Sequence, residues 1–179
     1  MKANLADGQT LNEMFASGTA WLEKSAPDIN AINVFPVPDG DTGTNMLLTM
    51  KSAMAEANHN SDNNVSAVAK SMAYGALMGA RGNSGIILSQ FWRGLAKELE
   101  NKSCFDGGCF AKALARASQT AYEGIINPVE GTILTVLKDA SDAAKTAAKN
   151  DDNLISVLEA AVKSAEESVA RTPSLLPVL

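Results

Sequence analysis

Aromatic side chains are scarce in this chain of 179 residues, at 5% of the composition. Sheets favour aromatic and β-branched side chains, whereas Ala, Leu and Met, abundant here beside Val, suit closely packed helices. Positive charge is also short: 15 Lys and Arg stand against 20 Asp and Glu, for a formal net charge of −5. Non-specific nucleic-acid binding needs basic patches that displace counterions, so no nucleic-acid partner is expected. For the same reason a phosphate ligand has to bring cations with it, and a metal cofactor fits better than a basic pocket. The two cysteines, Cys104 and Cys109, lack CxxC spacing and a second pair, so free thiols around a turn are expected rather than a zinc site. The single histidine, His59, sits in a polar turn and is expected to play no part in chemistry. No signal peptide opens the chain and no apolar run is long enough to span a bilayer. A cytoplasmic location without membrane insertion is therefore the expectation.

What is present is a hydrophobic fraction of 46%, enough at this length to bury a core as one domain, residues 1–179. Helical periodicity dominates and predicts seven helices, near residues 7–25, 44–57, 65–78 and 84–100, a fifth that follows a turn at Gly107-Gly108 and runs to about 123, and two more near 132–149 and 153–171. Pro27 is expected to end the first, and Thr172-Pro173 the last. Asp151-Asp152-Asn153 supply the N-cap of the seventh. A long irregular stretch, residues 28–43, carries apolar residues in its middle and is expected to be packed. Residues 33–37 are a weak strand candidate, weakened further by the flanking prolines. Short connections predict an all-α antiparallel bundle.

Three segments point to chemistry. Asp39 and Asp41 flank Gly40, which tolerates the positive φ of a sharp bend. Two carboxylates brought together repel unless they share a proton or a cation, and hard oxygen ligands select Mg²⁺ or Ca²⁺. The EF-hand pattern fails, because its sixth and twelfth positions are Thr44 and Met50 rather than Gly and Glu. Thr42, Gly43, Thr44 and Asn45 then lead into a helix start, which offers N–H groups and a positive dipole end to phosphate. Spacing alone does not separate this from a plain capping turn. Gly79-Ala80-Arg81-Gly82-Asn83-Ser84-Gly85 is a second glycine-rich helix start. It lacks the Lys of a P-loop, and tight helix packing is its other reading. Glu130-Gly131-Thr132 opens a third. Three such starts at one end of a bundle would make a polyanion pocket.

The run Asn33-Val34-Phe35-Pro36-Val37-Pro38-Asp39-Gly40-Asp41-Thr42-Gly43-Thr44-Asn45-Met46 resembles the signature of the N-terminal domain of the bacterial fatty acid kinase A subunit. That domain is related to the L subunit of dihydroxyacetone kinase. The Gly79–Gly85 motif, Glu130-Gly131-Thr132-Ile133-Leu134 and the segment Arg171–Leu179 are similar to further family motifs. The resemblance implies an up-and-down antiparallel barrel of eight helices that binds ATP or ADP at one end through two Mg²⁺ ions. It makes Asp39 and Asp41 the catalytic metal ligands. The related kinase has a third aspartate a few residues upstream, where Asn33 is the nearest polar candidate for a metal ligand. Thr42 stands where that relative carries His. By resemblance Thr42, Thr44, Asn45, Gly82, Asn83, Ser84, Gly131 and Thr132 contact phosphate or nucleoside, and Ile87, Ile133 and Arg171 lie near the base. The eighth helix of the family pattern falls beyond Leu179, so a piece of a longer multidomain protein is expected. It would work with its remaining domains and a lipid-binding B subunit that carries the fatty acid. A glycerone kinase component and a non-catalytic ADP-binding regulatory module are the alternatives.

Overall fold

The computed structural model describes residues 5–59 and 63–178. Seven α-helices follow in order: α1 (Gly8–Ala31), α2 (Thr42–Asn58), α3 (Val65–Gly79), α4 (Gly82–Glu98), α5 (Gly107–Glu123), α6 (Ile133–Asn150) and α7 (Leu154–Leu175). The all-α expectation holds, and the second to sixth helices lie within a few residues of their predicted bounds. Among the described residues there is no strand. Residues 33–37 are loop, and one isolated antiparallel bridge joins Ala6 to Phe105. Part of the polar turn at 58–64, and Leu179 at the end of the last family motif, lie outside the described residues.

Consecutive helices pack against each other, α1 on α2 and onward to α6 on α7, while α7 touches α5 but not α1 among the described residues. Short connections between packed neighbours reverse the chain at each step. The starts of α1, α3, α5 and α7 therefore share one end of the bundle, and those of α2, α4 and α6 share the other. The first end is stitched by backbone hydrogen bonds. Gly8 N–H donates to the Asn63 carbonyl at 2.7 Å, Val65 N–H to Ser103 at 3.2 Å, and Gly107 N–H to Asp152 at 3.0 Å. Trp92, Leu11, Met72, Leu95, Leu99 and Phe105 are fully buried in the main core. Phe15 meets the Trp92 ring edge-on, with centroids 4.4 Å apart, and Trp92 Nε1–H donates to Met50 Sδ at 3.3 Å. The buried indole thus keeps a partner.

Both prolines expected to end helices lie inside them. A helical proline lacks an N–H and leaves the carbonyl four residues back without its usual donor. At Pro173 that carbonyl belongs to Val169, and Thr172 Oγ1–H donates to it at 2.8 Å. The ladder then resumes with Leu176 N–H on the Thr172 carbonyl at 2.9 Å. Beyond Pro27 the last turn of α1 is held from outside, because the Asn30 side chain bonds to the start of α2. Local propensity was overridden by contacts that sequence periodicity does not show.

Candidate functional site

The α2–α4–α6 end of the bundle encloses a cleft of about 800 Å³. Its wall includes Asn33, Asp39, Asp41, Thr42, Asn45, Gly82, Asn83, Ser84, Ile87, Gly131, Thr132 and Ile133, so residues from all three predicted motifs converge. Two expected residues are not in the wall. Thr44 faces Asn30, whose amide Nδ2–H donates to its hydroxyl at 2.9 Å. Arg171 pairs instead with Asp139, a carboxylate that also accepts from Ser168 Oγ–H at 2.6 Å. The structure thus uses Arg171 to tie α7 to α6. A second groove of about 800 Å³ runs along α5 and α6, where Lys112, Arg116, Lys138 and Lys145 face Glu98, Glu130 and Asp142.

The acidic loop takes the bend expected of it, with Gly40 at φ 68°. Two asparagines hold it. Asn33 Oδ1 accepts from the N–H groups of Asp41 and Thr42, both at 3.3 Å, and from Thr42 Oγ1–H at 2.9 Å. Its Nδ2–H donates to the Val37 carbonyl at 3.1 Å. Asn30 Oδ1 accepts from Gly43 N–H at 2.8 Å and Thr44 N–H at 3.1 Å. Asn33 therefore serves as a clamp on the loop, with its oxygen already engaged. The amides at the start of α2 are also spoken for, which corrects their expected role as phosphate donors. Asn30 was missed: it lies outside every motif, at the end of a helix expected to stop at Pro27.

The carboxylate oxygens of Asp39 and Asp41 have no hydrogen-bond or ion-pair partner among the described residues, and both side chains are exposed at the cleft. Two hard, unpartnered carboxylates suit a magnesium ion, which takes few protein ligands and completes its shell with water and phosphate oxygens. Among the described residues no group of three or more His, Cys, Asp or Glu is placed to hold a metal. The pair thus fits a metal shared with a phosphate better than a closed protein cage.

The start of α4 is built differently. Gly82 sits at φ 58°, a left-handed conformation, and a Cβ there would fall 2.4 Å from Asn45 Nδ2. The N–H groups of Gly82, Asn83 and Ser84 have no partner among the described residues; pairing resumes with Gly85 N–H on the Arg81 carbonyl at 2.9 Å. Helix starts present several such unpaired donors, along with the positive end of the dipole. Thr49, fully buried and absent from the expectations, joins α2 to this turn. Its hydroxyl donates to the Asn45 carbonyl at 2.8 Å and accepts from Arg81 N–H at 3.3 Å. Ser84 Oγ–H reaches the Thr42 carbonyl at 3.4 Å.

At the start of α6, Thr132 caps its own helix through Leu134 N–H at 3.3 Å. Gly131, at φ 83°, turns its N–H inward to Thr135 Oγ1 at 2.9 Å. This leaves the N–H groups of Thr132 and Ile133 without a partner among the described residues. Among the described residues the cleft wall has no Lys, Arg or His to balance Asp39 and Asp41. A polyanion placed there would be favoured by accompanying cations.

Asp39 and Asp41 thus share one cleft wall with the open start of α4 at one end of a helical bundle. The chain belongs to the DAK2 family, the dihydroxyacetone kinase L-subunit-like domains that bind ADP or ATP as kinase components; the DAK2 domain model matches residues 36–179. It is similar to Protein YloV of Bacillus subtilis (strain 168), at 45% identity over 179 residues, covering 100% of this chain and 32% of that protein. It is also similar to an uncharacterized protein of Staphylococcus aureus (strain bovine RF122 / ET3-1), at 44% identity over 173 residues, with 97% and 32% covered. The chain spans about a third of the length of these relatives. Among the described residues no helix is long and apolar enough to cross a membrane.

Proposed function

We propose that this domain presents ATP for transfer of its γ-phosphoryl group to a fatty acid carboxylate held by a separate lipid-binding subunit. The observation that carries this reading is the division of one cleft between two unpartnered carboxylates and the unpaired amides of α4. Asp39 and Asp41 would hold two Mg²⁺ ions, while Gly82, Asn83, Ser84, Thr132 and Ile133 would take phosphate oxygens through their N–H groups. Ile87 and the Ile133 side chain supply an apolar wall for the base. Bound magnesium would neutralise charge on the β- and γ-phosphates as the transition state forms.

An oxygen of the acceptor carboxylate attacks the γ-phosphorus and forms the new P–O bond. The bond from that phosphorus to the β–γ bridging oxygen breaks, and its electron pair leaves with ADP. The products are an acyl phosphate and ADP. A carboxylate is ionised near neutral pH, so no proton has to be removed. A cleft without His or Lys suits such an acceptor better than a hydroxyl, which calls for a general base. The remaining domains of a longer cytoplasmic protein would bring donor and acceptor together.

The test pairs full-length protein and Mg-ATP with an oleate-loaded lipid-binding subunit, and separately with dihydroxyacetone on its own carrier. Acyl phosphate formation only in the first mixture is the expected result. Transfer only to dihydroxyacetone would replace this reading with a glycerone kinase component. Tight ADP binding without transfer to either acceptor would replace it with a regulatory module.

A further inference from the structure

Glu130 sits at the junction between the nucleotide cleft and the outer groove of α5 and α6. Its own side chain lines the groove, while the next residue, Gly131, lines the cleft. The two carboxylate oxygens have separate partners. Oε1 accepts from the Tyr122 hydroxyl at 3.1 Å, and Oε2 from Thr135 Oγ1–H at 2.6 Å. With its proton committed to Glu130, the Thr135 hydroxyl presents a lone pair to Gly131 N–H at 2.9 Å. Thr135 is buried, so this hydroxyl has no water to replace a lost partner. The chain Tyr122–Glu130–Thr135–Gly131 thus joins the end of α5 to the first turn of α6 across the connection that lines the cleft. Burial, and then the Glu130 carboxylate, push the Tyr122 hydroxyl above its ordinary pKa, so it remains a donor through the physiological range.

This arrangement selects which amides face the ligand. Gly131 is locked at φ 83° with its N–H turned away from the cleft, and there is no room beside it. A Cβ at that position would lie 2.7 Å from Leu176 Cβ. Thr132 closes the turn from the other side, its hydroxyl donating to the Val129 carbonyl at 2.7 Å. The N–H groups of Thr132 and Ile133 are the pair left open. We infer that Glu130 is a positioning residue for the bound nucleotide, fixing the orientation of the Thr132 and Ile133 amides through Thr135 without touching the ligand. The inference rests on the nucleotide-binding reading of the cleft and assigns that site a residue on its outer side.

The test measures Mg-ADP affinity by calorimetry and Tm on the full chain, for the wild type and Glu130→Ala, Glu130→Gln, Thr135→Val and Tyr122→Phe. Asp106→Ala, a cap variant at the far end of the bundle, calibrates a purely structural loss. Glu130→Ala and Thr135→Val are expected to weaken Mg-ADP about tenfold each, with Tyr122→Phe smaller, since each removes a hydrogen bond to a charged or buried group. Glu130→Gln keeps an acceptor for one partner and should recover part of the loss. The double variant Glu130→Ala with Thr135→Val should be no worse than the weaker-binding single variant, because both act through one chain of bonds. Asp106→Ala should lower Tm and leave affinity unchanged. If Glu130→Ala behaves like Asp106→Ala, or if the double variant loses the product of the two single losses, the positioning role is overturned while the nucleotide site stands. A wild-type chain with no Mg-ADP affinity would overturn both.

Discussion

The two ends of the bundle differ in how they treat helix starts. At the far end α1, α3, α5 and α7 are each capped by their own Asp7, Asn64, Asp106 and Asn153. Loop backbones are bonded across that end as well. At the cleft end α2 and α4 receive no bond from their own N-cap side chains. The exposed donors of α2 are instead covered by Asn30 and Asn33 from the preceding chain, and those of α4 are left open. A cap is worth about 1 kcal/mol, so an uncapped start gives up stability. The far end is built for folding. The cleft end forgoes a side-chain cap at α4 and leaves its first donors open. Within the cleft the two starts differ again: the loop before α2 brings the unpartnered carboxylates of Asp39 and Asp41, and α4 brings open amides.

The largest expected effect falls on the carboxylates. On the proposed reading, Asp41→Ala should lower phosphoryl transfer by a factor on the order of a thousand or more, since a metal held there would neutralise the transferring charge. Helix content and Tm should barely change, because the Asp41 carboxylate has no partner among the described residues to lose. Circular dichroism beside a transfer assay checks this. Retained transfer would remove Asp41 from the metal-holding role.

Gly82→Ala comes next. The left-handed φ and the 2.4 Å approach to Asn45 Nδ2 make any Cβ costly there. The chain should lose roughly 1 kcal/mol of stability from backbone strain. Mg-ADP should weaken on the order of tenfold to a hundredfold as the three open amides shift. A fall in Tm with unchanged affinity would show that the glycine serves helix packing alone, its other sequence reading.

Asn30→Ala is smaller and sharpens the division between α2 and α4. Losing the cap should cost about 1 kcal/mol of stability. The loosened acidic loop should require several-fold more Mg²⁺ for half-maximal nucleotide binding, while affinity at saturating Mg²⁺ stays near that of the wild type. Titrating magnesium at fixed nucleotide measures it. A loss that persists at saturating magnesium would place Asn30 on the phosphate side of the cleft.

The helices were legible because Ala, Leu and Met recur at helical spacing, and Asn153 was legible as a cap from the cluster at 151–153. The three glycine-rich starts were legible from their composition, and their meeting at one end of the bundle was only a conditional reading until the helices were placed. Two things were not legible. Pro27 and Pro173 read as stops, because their rescue depends on Asn30 bonding across to α2 and on the Thr172 hydroxyl replacing a missing donor. The start of α2 read equally as a phosphate-facing helix start or a plain capping turn, because sequence shows amides being offered and cannot show Asn30 and Asn33 taking them. Thr49 and Glu130 stayed hidden for a related reason: Thr49 accepts from Arg81 N–H and Glu130 from the Tyr122 hydroxyl, bonds between separate elements that only packing creates.

The smallest effect belongs to the far end. Asp7 accepts from Thr10 N–H and Thr10 Oγ1–H, both at 2.9 Å, and these bonds hold its carboxyl below the ordinary value. A depressed folded pKa means that the unfolded chain binds the proton more readily. The cap's contribution is therefore complete above the unfolded pKa and is lost as pH falls through the lower, folded one. Asp7→Asn keeps an acceptor and removes the titrating charge, so it should lower Tm slightly at neutral pH and flatten the acid limb of the Tm curve. Mg-ADP affinity at neutral pH should not move, because Asp7 and the cleft lie at opposite ends of the bundle. A shift in affinity equal to that of a cleft-end variant would mean that the two ends are coupled through the helices, and that capping at one end is not independent of binding at the other.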